Sequence, residues 1–366
     1  MADGERGAMR RGLATTTQRT STTLRLFYND YVDVTMPPKH RFPMGKYRAV
    51  RTKLQRELES AGLADFHPSP DASELELSTA HDEGYVSRVF HNQLSESEVR
   101  RIGLPVHHSF LKRQTTAVGG TIAATRALLE RPPAQQVAGC KFDIAGHIAG
   151  GTHHAYRGHG EGFCLFNDIA VAAAVAQRDY SGMVSNIMVV DLDVHQGNGT
   201  AEIFRDDPAV TTLSMHCSKN IFSKREESDY DLEVGRGACV LFMRASCICL
   251  SVVVLGAVWW EWKRCRWRCV EVPRRLYVRG NQTIRTQRLT DKNNVQVAPE
   301  CDDDTYMSKL EAWLPGCFEQ HPPDLVFFQV HEHVCAAAEF GRSLARSLGC
   351  GSGLYVCRWK VVLGVV

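Results

Sequence analysis

The chain has 366 residues, long enough to bury one large core or two modest ones. Lys and Arg total 43 against 41 Asp and Glu, a formal net charge of +2, so no strong overall field directs it to nucleic acid. Of its 13 cysteines, nine fall in 236–301 and 330–366, together with five of the six tryptophans, and 236–301 has no histidine. Composition changes abruptly at those two places, which argues against a disulfide framework spanning the whole protein.

Residues 1–23 are rich in Arg, Ser and Thr and carry no recognisable secretory signal. They read as a disordered or targeting tail, with Asp3 and Glu5 against a clean transit peptide. The expected compartment is cytoplasm or nucleus, with an organelle left open. From Leu24 the signals follow the order of an α/β domain. Leu24 to Phe27 is a short strand, and Lys46 to Ser60 has helical spacing with Tyr47, Val50 and Leu54 on one face. Ser95 with Glu98 three residues on marks a possible helix start running to Arg101. Gly119 to Leu129 is Ala-rich and helical, whereas Cys140 to Ile148 repeats an Ala-Gly pair and reads as a small insertion. Asp168 opens a helix to Gln177, an acid suited to its positive end. Ile187 to Leu192 and Val210 to Met215 are strands, with a short helix from Ala201 to Phe204 between them.

The strongest chemical signal is Asp191-Leu192-Asp193-Val194-His195-Gln196-Gly197-Asn198, which follows the apolar run Ile187 to Val190. In extended backbone, residues i and i+2 share a side, so Asp191, Asp193 and His195 can converge. The carboxyl end of a parallel strand is where open α/β sheets place their chemistry, and zinc accepts both Asp oxygen and His nitrogen. A second signal is Gly150-Gly151-Thr152-His153-His154-Ala155, then Gly160-Glu161-Gly162-Phe163-Cys164-Leu165-Phe166-Asn167-Asp168. Tandem imidazoles are costly to bury without partners and suit proton transfer near neutral pH. One such pair alone is a weak signal; both motifs together are specific.

With those motifs the chain resembles the zinc-dependent histone deacetylases, closest to the class IV enzymes and similar bacterial deacetylases. His40-Arg41-Phe42-Pro43-Met44-Gly45-Lys46-Tyr47, Arg101-Ile102-Gly103-Leu104-Pro105 and Gly119-Gly120-Thr121-Ile122-Ala123-Ala124 carry the same resemblance. It implies an α/β fold, three layers α/β/α with a mostly parallel sheet, of the arginase/deacetylase kind. It also implies hydrolysis of acetyl or other acyl groups from lysine side chains. Asp193 and His195 match two zinc ligands, and His153 and His154 match the proton-handling pair, the second as general base and later acid. Asp191 matches the carboxylate that orients the first histidine. Asn198 stands where some relatives carry a second Asp and, being neutral, should keep His154 easier to hold uncharged. Gly162 and Phe163 match the substrate channel. Potassium is implied behind the zinc, on main-chain carbonyls of Asp191, Asp193 and His195 and on Ser214 and Met215.

The resemblance covers 24–235 and 302–329, two parts of one deacetylase domain. Residues 236–301 read as an insert: a translated non-coding stretch such as a retained intron, a surface insertion, or a membrane or metal module. Cys239 to Trp260 is apolar with a basic flank, but a span there would pull one half of a single sheet from the other. After Gln329 the chain reads Val330-His331-Glu332-His333, off the family pattern to Val366. There the third zinc ligand has no match, and the catalytic tyrosine has none either; Gly351-Ser352-Gly353-Leu354-Tyr355 is only superficially alike. Several later strands are expected to be absent, leaving an open sheet edge. The alternative function is therefore an inactive or truncated relative. A manganese ureohydrolase is disfavoured by the neutral Gln196 and Asn198 and by the His153-His154 pair. The implied partners are acetyl-lysine proteins, histone tails or acetylpolyamines, with no direct nucleic-acid binding and no membrane.

Overall fold

A computed structural model of the chain describes residues 24–132 (39 and 41 apart), 142–218, 223–234, 303–330 and 359–365. The elements run β1 (Leu24–Tyr28), α1 (Lys46–Leu54), β2 (Ala64–Pro68), α2 (Glu74–Leu77), α3 (Glu83–Phe90), α4 (Glu96–Ile102) and α5 (His108–Leu129). They continue with β3 (Phe142–His147), α6 (Asp168–Asp179), β4 (Ile187–Asp191), α7 (Asn198–Phe204), β5 (Val210–Cys217) and β6 (Tyr230–Val234). The last three described are α8 (Asp303–Gln320), β7 (Leu325–Val330) and β8 (Trp359–Val365). The strands form one eight-stranded sheet in the order β2-β1-β3-β8-β7-β4-β5-β6, and every neighbouring pair is parallel.

The sheet is covered on both faces, as an all-parallel sheet requires. Successive side chains of a strand point to opposite faces. On β4, Ile187 and Val189 join a core with Ile122, Leu128 of α5 and Ile169, Val171 of α6. Met188 and Val190 instead join Leu310, Leu314 and Phe318 of α8 on the other face. β7 repeats the division, with Leu325 and Phe327 on the α5–α6 side and Val326 and Phe328 on the α8 side. The three-layer α/β/α arrangement expected from the motifs is thus built residue by residue from this alternation.

Most elements read from sequence are present, and α4 begins with Ser95 and Glu98 in a reciprocal capping box. Three expectations are corrected. The stretch 142–147, read as part of an insertion, is β3, paired with β1 on one side and β8 on the other. Its Gly146 and its buried polar residues Asp143 and His147 hide the usual strand pattern. Helix α5 begins eleven residues before Gly119, because Arg113, Gln114, Thr115 and Thr116, polar in sequence, are buried in the fold. Finally, β8 fills the place between β3 and β7 where an open edge was expected; the run Trp-Lys-Val-Val-Leu-Gly-Val is rich in strand formers. The insert at 236–301, the apolar run 239–260 and the tail 1–23 lie outside the described residues, and no described helix is long and apolar enough to cross a membrane.

Helix α5 lies hard against the loop after β2, where Ala72 N donates to Thr115 O at 3.0 Å. A Cβ on Gly119 would stand 2.0 Å from the Pro70 carbonyl oxygen and 2.8 Å from Ala72 N, both backbone. Gly119→Ala is expected to cost about 1–3 kcal/mol through enforced separation of helix and loop. Denaturant unfolding of both proteins measures it, and an unchanged midpoint refutes the close packing.

Candidate active site

At the carboxyl end of β4 the chain folds back on its own carboxylates. Asp191 Oδ1 accepts from Asp193 N at 3.0 Å, and Asp193 Oδ1 accepts from His195 N at 2.7 Å. These local bonds turn the backbone so that Asp191, Asp193 and His195 stay close, with His195 Nδ1 3.0 Å from Asp193 Oδ1. A side chain on Gly197 would strike Asp191 Oδ2 at 2.3 Å, so the turn must pass there as glycine. Helix α7 starts immediately afterwards and carries Asn198 in its first turn.

The tandem histidines meet this turn from the loop after β3. His153 Nδ1 lies 2.5 Å from Asp191 Oδ2, and His153 Nε2 is 3.9 Å from Asp193 Oδ1. His154 Nδ1 lies 2.8 Å from Asn198 Oδ1, and the two imidazoles sit 3.9 Å apart between centroids. The His195 ring is 5.7 Å from that of His154. Every one of these groups except the half-buried His195 is buried. All of the expected polar residues, His153, His154, Asp191, Asp193, His195 and Asn198, are therefore brought together.

Their environments push the two histidines apart. Burial alone would lower the His153 imidazole, but the adjoining Asp191 carboxylate, with Asp193 behind it, raises it above the ordinary value. Burial lowers His154 well below the ordinary value; the neighbouring His153 lowers it further, and its bond to Asn198 offsets only part. Asn198 Oδ1 can only accept, which fixes the proton of His154 on Nδ1 and leaves Nε2 as the basic nitrogen. The Asn198 amide donates in turn to Tyr156 Oη at 3.1 Å and to Ser223 Oγ at 3.1 Å, which sets its orientation.

The sequence did not mark the residues that hold this loop. Asp168, read only as a favourable helix-start acid, accepts from Gly151 N at 2.9 Å, Thr152 N at 2.7 Å, Thr152 Oγ1 at 2.7 Å and Thr121 Oγ1 at 2.5 Å. Asn167 caps α6 through Ala170 N and donates its amide toward the carbonyls of His153 and Ala155 at 3.4 and 3.3 Å. His81 joins Tyr156 O at 2.9 Å to Asn167 N at 2.9 Å. The only clue in sequence is an Asn-Asp pair opening an otherwise apolar helix; its partners outside that helix lie 12 to 86 residues away.

Phe163 stands in left-handed backbone, φ 70°, after Gly162 at φ 56°. A bulky residue there is strained and persists only where surroundings hold it. Here Phe163 N donates to Ile102 O at 2.7 Å, and Phe42 packs against its ring at 5.3 Å. On the potassium side, Asp191 and Ser214 are register partners on β4 and β5, and Ser214 Oγ accepts from Gly197 N at 3.4 Å. A metal is served in part: Asp193 and His195 supply an oxygen and a nitrogen side by side, but among the described residues no group of three or more His, Cys, Asp or Glu donors is assembled. The position after Gln329, at Val330 to His333, and Tyr355 lie outside the described residues or their side chains.

Comparison with known proteins places this geometry. A family model described as "Histone deacetylase domain" matches residues 40–331. An uncharacterised protein of Picosynechococcus sp. is 41% identical over 58% of this chain and 66% of its own length. The acetoin utilization protein AcuC of Bacillus subtilis is 35% identical over 40% of this chain and 36% of its own length. The chain thus spans just under two-thirds of the first relative and little more than a third of the second. The crystal structure titled HDA15 HD domain superposes with TM-score 0.57 at 17% identity, covering 94% of this chain and 84% of that one, and supports the fold. Because the family model spans well over half of its length, the chain belongs to the histone deacetylase family.

Proposed function

We propose that this chain hydrolyses acyl amides, removing acetyl or other acyl groups from lysine side chains of proteins such as histones, or from acetylated polyamines, with zinc as its metal. The observation that carries this reading is the buried pair of imidazoles with opposite titration bias, facing the Asp193–His195 turn. Asp193 and His195 would hold the zinc; when bound, it supplies Lewis-acid polarisation of the amide carbonyl and of water. Ser214, Met215 and the carbonyls of the same turn would hold potassium.

The chain's own groups account for the proton traffic. His154, kept neutral by burial and by His153, has Nε2 available to take a proton from water. The same nitrogen then returns that proton to the departing lysine amine, which cannot leave as an amide anion. His153, biased toward its protonated form by Asp191, brings positive charge beside the oxyanion that forms. Gly162 and Phe163 supply one wall of the channel for the lysine stem.

A second reading, an inactive relative, is favoured by the two-donor metal site among the described residues. Zinc titration of the purified chain with an acetyl-lysine peptide separates the two. Stoichiometric zinc with turnover supports the enzyme; absence of turnover at saturating zinc supports the inactive relative. If the enzyme reading holds, His154→Ala lowers kcat by about 100-fold or more, and equal kcat would remove His154 from the mechanism. Asn198→Asp sets a carboxylate on His154 and raises its pKa. A base must be neutral to act, so the acidic limb of kcat/KM moves to higher pH, by about 1 unit or more; a limb unmoved or moved lower contradicts the assignment. Asp168→Asn replaces one of the two accepting oxygens with an NH2 donor, among the N–H and O–H groups of Gly151, Thr152 and Thr121. It is expected to cost about 1–3 kcal/mol of stability, read by denaturant unfolding, and an unchanged midpoint would show that the clamp is dispensable.

A further inference from the structure

Strand β7 is apolar from Leu325 to Phe328 and then carries one amide, Gln329, buried at 0% exposure. Gln329 stands in register with Asp191 on β4, in the same row across the sheet. Its side-chain Nε2 donates to Gly151 O at 3.3 Å, and its own main-chain carbonyl accepts from Leu192 N at 3.0 Å. Leu192 lies between Asp191 and Asp193, and Gly151 comes two residues before His153. One residue thus ties the histidine loop with its side chain and the carboxylate turn with its backbone.

The Gly151–Thr152 peptide is thereby held at both ends. Its N–H, on Thr152, donates to Asp168 Oδ1 at 2.7 Å, and its carbonyl accepts from Gln329. Among the described residues no backbone N–H donates to that carbonyl. Keeping an amide here is unfavourable in itself: Gln329 Oε1 is buried and accepts no hydrogen bond. A methionine, unbranched and of similar length, would fill the space without that orphaned oxygen. Stability alone gives little reason for a glutamine at this point of β7.

We propose that Gln329 is a positioning residue, whose bond to Gly151 O sets where His153 and His154 stand relative to the Asp191–Asp193 turn. Its effect on turnover rests on the hydrolytic reading above; its effect on the loop does not. Small misplacements of reacting groups lower rates steeply, so the bond acts on kcat rather than on KM.

The full chain compared with its Gln329→Met and Gln329→Glu variants tests this. Methionine removes the donor, whereas a glutamic acid kept protonated by burial still donates to Gly151 O. The proton between His153 Nδ1 and Asp191 Oδ2, atoms 2.5 Å apart, is expected far downfield in proton NMR. In Gln329→Met this signal should move upfield or broaden away while the denaturant midpoint holds; in Gln329→Glu it should stay. Where the wild type turns over an acetyl-lysine peptide, Gln329→Met should lower kcat about tenfold or more with KM unchanged. A signal absent from the wild type, unmoved in Gln329→Met or lost in both variants overturns the proposal. So does an unchanged kcat, or a midpoint lowered in Gln329→Met, which would make the tie merely structural. A wild type without turnover counts against the hydrolytic reading alone, because the NMR and unfolding comparisons still decide this one.

Discussion

Everything in the candidate site depends on a carboxylate buried beneath an imidazole. Asp191, 2% exposed, ends the central strand β4 and faces His153 at 2.5 Å. Burial penalises both charges, and each offsets that penalty for the other: Asp191 carries His153 above its ordinary value, whereas burial still leaves Asp191 raised despite His153. From this pair follow the raised titration of His153, the depressed titration of His154 beside it, and the division of labour between two chemically identical side chains. The sheet supplies the rigidity: Asp191 is fixed in register with Gln329 on one side and Ser214 on the other.

The polar support behind this pair is as extensive as the pair itself. Asp168 gathers the backbone of Gly151 and Thr152, Asn167 reaches the carbonyls of His153 and Ala155, and His81 secures Asn167 in turn. These are positioning residues, since none touches the reacting centre directly. Their burial explains why the loop after β3, which has no regular structure, can present two imidazoles at fixed separation.

The legible parts of the molecule were those whose signal is local. Strand β4 announces itself by an unbroken apolar run closed by acids, and the same residues deliver half the site. Helix α4 is written in its capping pair, and α6 in the acid that opens it. Illegible parts draw their meaning from distant partners. β3 buries Asp143 and His147 where a strand would normally place apolar side chains, and so resembled an insertion. The first half of α5 hides Arg113, Gln114 and Thr116 in contacts that no window of neighbouring residues contains. Asp168 looked like a dipole ornament because its partners, Gly151 and Thr152, precede it by sixteen or more residues.

The position of β8 has a consequence for how such a chain assembles. Without residues 359–365, the sheet falls into two separate ribbons, β2-β1-β3 and β7-β4-β5-β6. The His153–His154 loop issues from the first ribbon and Asp191 from the second. Both halves of the candidate site thus precede in the chain the strand that joins them within the sheet, the last in sequence of the described strands.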